Sequence, residues 1–182
     1  LQDQLLSKRK DLATIKQLEP LMGDLFGLSG KRSYLLVLQN NQELRATGGF
    51  IQALALLTFD QGMLVDTQVF SVYDLDKRVL GSVTPPAEIT QFLGEQNWYL
   101  RDSNWDPDFP SSAKQISWFF QEATGKKPDG VIAINLSVVK SWLKETGTLN
   151  LTEFNEVISD TNLLERMEFH AEAGVRDVNQ PD

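Results

Sequence analysis

Two strand-length apolar segments facing each other across Asp60-Gln61-Gly62 constrain this chain more than any other feature. Phe50 to Phe59 (FIQALALLTF) and Met63 to Val72 (MLVDTQVFSV), the second with alternating apolar residues, predict a β-hairpin over 50–72. Just upstream, Ser33 to Gln39 (SYLLVLQ) is apolar almost throughout, as expected of a strand covered on both faces. A sheet built from these segments has to be buried by helices or by a second sheet.

The remaining chain supplies the helices. Leu5, Leu12, Ile15, Leu18, Leu21, Met22, Leu25 and Phe26 recur at mostly helical spacing, predicting an N-terminal helical segment over 1–28 that Pro20 divides. A short helix opens after Pro85-Pro86 and runs through Phe92. Ser111 or Ser112 is expected to cap a helix through Ala123, with Ile116, Phe119 and Phe120 facing inward and Gly125 as the stop. Asp129 to Asn135 reads as a buried strand, Leu136 to Thr146 as a helix, and Thr148 to Leu151 as a short strand. A last helix, capped by Asp160 or Thr161, extends to about Ala173. The order implies one α/β domain over 29–182, a three-layer sandwich around a mixed β-sheet, preceded by the N-terminal helix.

Composition removes several function classes. Seventeen Lys and Arg against 25 Asp and Glu give a formal net charge of −8, which disfavours nucleic acid and anionic membrane surfaces. Cysteine is absent, so disulfides, thiol catalysis and Cys-ligated metals are excluded. The single histidine, His170, excludes multi-histidine metal sites within the chain and reads as a helix-surface residue. No run of 18 apolar residues occurs. The sequence begins at Leu1 with no signal-peptide pattern after it, and the expectation is a piece of a longer protein.

Phosphate-loop, dinucleotide, nucleophile-elbow and zincin motifs are missing. Two polar stretches interrupt the buried elements instead. The first, Gln39 to Gly49, leaves a buried strand at its carboxyl end, where α/β sheets collect ligands. There Asn41, Glu43, Arg45, Thr47 and Gly48 are candidate ligand contacts, with an ordinary polar loop as the plain alternative. The second, Trp98 to Pro110, carries Arg101, Asp102, Asn104, Trp105, Asp106 and Asp108. Its carboxylates suit a hard cation such as Mg²⁺, and its aromatics suit a sugar or a prenyl chain. Asp74, Asp76, Lys77 and Arg78 read as a solvated charge run. Arg45, six residues beyond a strand, is expected to be partly buried and either paired with Glu43 or Asp102 or turned to a pocket as an anion site.

The segments QNNQELRATGGF, VYDLD, LRDSNWDPDFP and PDGVIAINLSVVKSWLKETGTL resemble a bacterial family named domain of unknown function 4012, from about Ser33 to Leu151 and more loosely beyond. The order of elements is more distantly similar to the LytR–CpsA–Psr family, extracytoplasmic phosphotransferases that move glycopolymers from a polyprenyl-pyrophosphate carrier onto peptidoglycan. The first resemblance implies a longer protein with a membrane anchor before this domain, and the second a location outside the bacterial membrane. The second also departs in detail: the family's Arg-Asp pair after the second strand is not reproduced in order, since Asp76 precedes Lys77 and Arg78.

Two functional readings follow. One is a non-catalytic cell-envelope module that binds a glycan, a polyprenyl phosphate or an envelope protein, with Trp98, Tyr99 and Trp105 as its contact surface. The other is a Mg²⁺-dependent phosphotransferase or pyrophosphate-lipid hydrolase. In it Arg45 and Arg101 hold the pyrophosphate, with Asp102 beside them, and Asp102, Asp106 or Asp108 hold the metal. Lipid binding further calls for a groove lined by Leu and Phe beneath the sheet. Convergence of Arg45 and Arg101 on one pocket favours the enzyme, and divergence by a helix length favours the binding module.

Overall fold

The computed structural model describes residues 23–152, 154–167 and 169. The helical reading of residues 1–22 and the placement of His170 lie outside them. Strands β1 (Arg32–Asn40), β2 (Phe50–Asp60), β3 (Met63–Ser71) and β4 (Gly130–Asn135) form one mixed sheet in the order β3-β2-β1-β4. β1 is antiparallel to β2 and parallel to β4, so both its edges are paired, but its two faces differ from the equal coverage its apolar run predicts: Leu35 and Val37 are fully buried, whereas Leu36 and Leu38 are half-buried.

The hairpin is tighter than a three-residue turn. Asp60 pairs with Met63, and only Gln61 and Gly62 turn the chain, both with positive φ (49° and 82°) as the tightest hairpins require. The amides of Gln61 and Gly62 donate to the carbonyls of Gly27 and Phe26, so the segment before β1 satisfies the turn. Phe26 meets Phe59 edge-on at 5.3 Å. β3 stops at Ser71, one residue before Val72, because α1 (Val72–Asp76) begins there.

Helix α2 (Ala87–Leu93) follows Pro86, and a 3₁₀ turn covers Leu100–Asp102. Helix α3 (Phe109–Thr124) starts earlier than the serines suggest. Its cap is Asp108, which accepts from the Ser111 amide, while Pro110 sits in the first turn where a missing N–H costs nothing. Ile116, Phe119 and Phe120 on α3 bury fully against Leu35, Val37, Ile51 and Leu54 of the sheet. Each such side chain contributes about 1.5–3 kcal/mol of burial. On the opposite face Leu36, Leu38, Ala55 and Ile134 remain half-buried.

Asn135 caps helix α4 (Leu136–Thr146) by accepting from the Val138 amide. The short strand expected after it does not join the main sheet. β5 (Leu149–Leu151) pairs antiparallel with β6 (Glu156–Ile158), a strand that composition did not signal, in a separate two-stranded ribbon. The next turn is capped by the Ser159 hydroxyl, which accepts from the amides of Thr161 and Asn162, rather than by Asp160 or Thr161. No helix among the described residues is long and apolar enough to cross a membrane.

Candidate functional site

The two polar stretches meet. The loop between β1 and β2 turns tightly on itself: the Glu43 amide donates to the Asn40 carbonyl, and the Phe50 amide donates to the Glu43 carbonyl. Gly49 closes it with φ of +144°. A Cβ there would run into the Asn40 carbonyl and come within 2.8 Å of the Asn41 nitrogen, so the close approach needs glycine.

Asn104, fully buried, stitches this loop to the second stretch. Its amide donates to the Thr47 hydroxyl (3.0 Å) and to the Gly49 carbonyl (2.8 Å), while Gln39 donates to the same hydroxyl at 2.9 Å. Asn104 Oδ1 and Arg45 Nε are buried and meet no hydrogen-bond partner.

Arg45 and Arg101 converge on one carboxylate. Arg45 Nη2 lies 3.3 Å from Asp102 Oδ1, and Arg101 Nε lies 3.6 Å from Asp102 Oδ2. Arg45 is mostly buried, as its position beyond a strand predicts, and its guanidinium sits 5.3 Å over the Phe50 ring. Arg101 reaches further, to Asp76 Oδ2 at 2.9 Å and Glu95 Oε1 at 3.2 Å, with Tyr99 3.8 Å beneath it. Two guanidiniums thus face three carboxylates, leaving one negative charge in excess when all are ionised. Asp76 also accepts from the Leu100 amide at 2.7 Å.

Asp76 is the residue that the sequence reading misplaced. Asp74 and Lys77 do form an exposed pair in solvent. Asp76 instead turns inward from α1 alongside the fully buried Val72 and Leu75, so the solvated charge run does not extend to it. Its signal was the spacing of Val72 and Leu75, which gives α1 an inner face that Asp76 shares.

Burial dominates the titration of both inner aspartates. It raises Asp102 from its ordinary value against the pull of Arg45 and Arg101. It raises Asp76 likewise, and the hydrogen bond and charge of Arg101 recover only part of the shift. Burial draws the Arg101 guanidinium down, but Asp76, Asp102 and Glu95 outweigh it and leave Arg101 raised.

The other predicted site residues scatter. Asp106 accepts from the Asp108 amide, and one oxygen of Asp108 accepts from both the Ser111 amide and hydroxyl, so both carboxylates serve the start of α3. Ser111 holds the Asp108 carboxyl below its ordinary value. Among the described residues, no group of three or more acidic or histidine side chains is placed to hold a metal ion. Glu43 and Gly48 face solvent and Trp105 is half-buried. Trp98 and Tyr99 do not form an open aromatic surface with it. Trp98 packs edge-on against Phe119 and donates to the Asp102 carbonyl, and Tyr99 lies under Arg101. Ile116, Phe119 and Phe120 occupy the space beneath the sheet where a lipid groove would run.

Asn41 points elsewhere, donating to the Ser137 hydroxyl at 3.0 Å. It borders a cleft of about 70 Å³ between the β1–β2 loop, the start of α4 and residues 160–164.

The sequence model of a family described as "Protein of unknown function (DUF4012)" matches residues 29–171. No curated protein and no solved structure matches the chain.

Proposed function

The chain belongs to this DUF4012 family, and we propose that it works as a non-catalytic module of the bacterial cell envelope that binds a glycan. The observation that carries the reading is the commitment of Arg45 and Arg101 to Asp102, Asp76 and Glu95. A phosphotransferase needs those guanidiniums free for phosphate oxygens, and a cluster with excess negative charge repels a pyrophosphate. The cluster instead acts as a rigid polar core under two loops. It holds Glu43 and the 87% exposed Leu44 outward on one side, and Asp106 and Asp108 outward on the other.

The location outside the membrane rests on the resemblance to the LytR–CpsA–Psr family, and an attachment through an upstream anchor on the resemblance to the 4012 family. The three-layer arrangement is part of the same proposal, supported by the half-buried apolar face opposite α3.

Co-sedimentation with purified peptidoglycan sacculi tests the reading, alongside incubation with a polyprenyl-pyrophosphate-linked glycan and Mg²⁺. Sedimentation with sacculi and no release of polyprenyl phosphate are expected. Mg²⁺-dependent turnover lost in Arg45→Ala would overturn the reading in favour of the enzyme. Retention of an envelope protein without sacculus binding would shift it to a protein partner.

A further inference from the structure

β1 and β4 run parallel, with Gln39 opposite Asn135, so their carboxyl ends open side by side. The chain leaves β1 into the Asn41 loop and leaves β4 straight into α4. The cleft of about 70 Å³ lies between these exits, the position where sheets with parallel strands gather ligands.

Lys140 and Asp160 both line this cleft, yet neither forms an ion pair with the other or with any described residue. An ammonium only donates and a carboxylate only accepts, so one cleft offers both functions unspent. An anion such as phosphate would satisfy Lys140 but face the charge of Asp160, and a lone cation would meet the reverse problem. A hydroxyl accepts and donates at once and carries no charge. Two adjacent hydroxyls therefore span the pair, and the Gln42 amide at the rim adds a further donor and acceptor. Leu136 and Leu163 give the wall an apolar patch that suits the C–H face of a sugar ring. A volume of about 70 Å³ seats part of one ring, the rest lying open to solvent, and is too little for a chain.

We propose that this cleft binds a single neutral sugar residue through two neighbouring hydroxyls, held between Lys140 and Asp160. The inference rests on the glycan-binding reading and gives it a place distinct from the arginine cluster.

Amide chemical-shift titration of the ¹⁵N-labelled chain tests it, using glucose, mannose and N-acetylglucosamine as probes and inorganic phosphate and glycine as controls. Saturable shifts at Gln42, Lys140 and Asp160 are expected with at least one sugar and with neither control. Lys140→Ala and Asp160→Asn lie at the surface and should each weaken binding about tenfold or more, the loss expected of one hydrogen bond to a charged group. No saturable shift with any of the sugars, saturation by phosphate or glycine, or full binding in both variants would overturn the proposal. Sacculus binding that survives both substitutions sinks the cleft and leaves the module. Sugar shifts without any sacculus binding do the opposite.

Discussion

Arg101 Nη1 lies 2.9 Å from Asp76 Oδ2, joining the end of a five-residue helix to a 3₁₀ turn 25 residues later in the chain. The aspartate is almost wholly buried, and the same side chain anchors the Leu100 amide. The pair fixes where the second polar loop leaves the core.

Removing one partner should therefore expose the cost of the other. Arg101→Ala strands the Asp76 carboxylate in the interior and should destabilise the fold by about 3–5 kcal/mol in urea denaturation. Arg101→Lys should recover only part of this, because one ammonium cannot reproduce forks to both Asp76 and Glu95. A loss below about 1 kcal/mol for the alanine variant would mean the pair is solvated like a surface bridge.

The pH dependence has a definite sign. Burial raises Asp76 and Asp102 above 3.8, so between that value and their folded values the native chain binds more protons than the unfolded one. Their stability contribution is full below 3.8 and lost as pH rises through the folded values. Urea midpoints of wild type and Asp76→Asn/Asp102→Asn across pH 4 to 8 should show a gap that moves against wild type as pH increases. A gap moving the other way would show that the arginines outweigh burial. Asp108, held low by Ser111, behaves oppositely: the advantage of wild type over Asp108→Ala should fade as pH falls below 3.8.

Gly49 and Gly30 offer a matched comparison. Their φ values, +144° and +143°, are nearly identical, but a Cβ at Gly30 meets nothing within 4 Å while one at Gly49 runs into the Asn40 backbone. Gly30→Ala should cost only backbone strain, on the order of 1–3 kcal/mol. Gly49→Ala should cost clearly more in the same denaturation assay, and equal losses would show that the loop can yield.

Asn104→Ala should cost about 1–3 kcal/mol by leaving the Gly49 carbonyl without its side-chain donor and the Thr47 hydroxyl with Gln39 alone. Amide exchange in residues 41–49 should accelerate with it. Unchanged exchange there would mean that Asn104 does not hold the loop.

The strands were legible because apolar runs in β1 and β2 have few other uses, and Gln61-Gly62 can take the φ values that their hairpin demands. Arg45 was legible too, since a guanidinium just past a buried strand needs a partner, and Asp102 is that partner. Asp76 was obscured by its neighbours: in the run from Asp74 to Arg78, one turn of helix decides which charge goes inward. Asp108 was hidden behind two serines that are themselves good caps, until Pro110 is recognised as a first-turn residue. The three-residue strand β6 is too short for any periodicity to show.

The parallel pairing of β1 with β4 also sets the order in which the protein can assemble. β1, β2 and β3 zip up between neighbours in sequence, whereas Tyr34 waits for Gly130, and the Ser33–Asp129 contact beside it closes a span of 96 residues. Closing a loop of that length costs roughly 4 kcal/mol of chain entropy before any reward. Until β4 arrives, a growing three-stranded meander carries the bare edge of β1, with its apolar run from Tyr34 to Leu38, as a template for its own kind. Speed of closure, rather than final stability, then decides how much of a concentrated refolding sample reaches the native state.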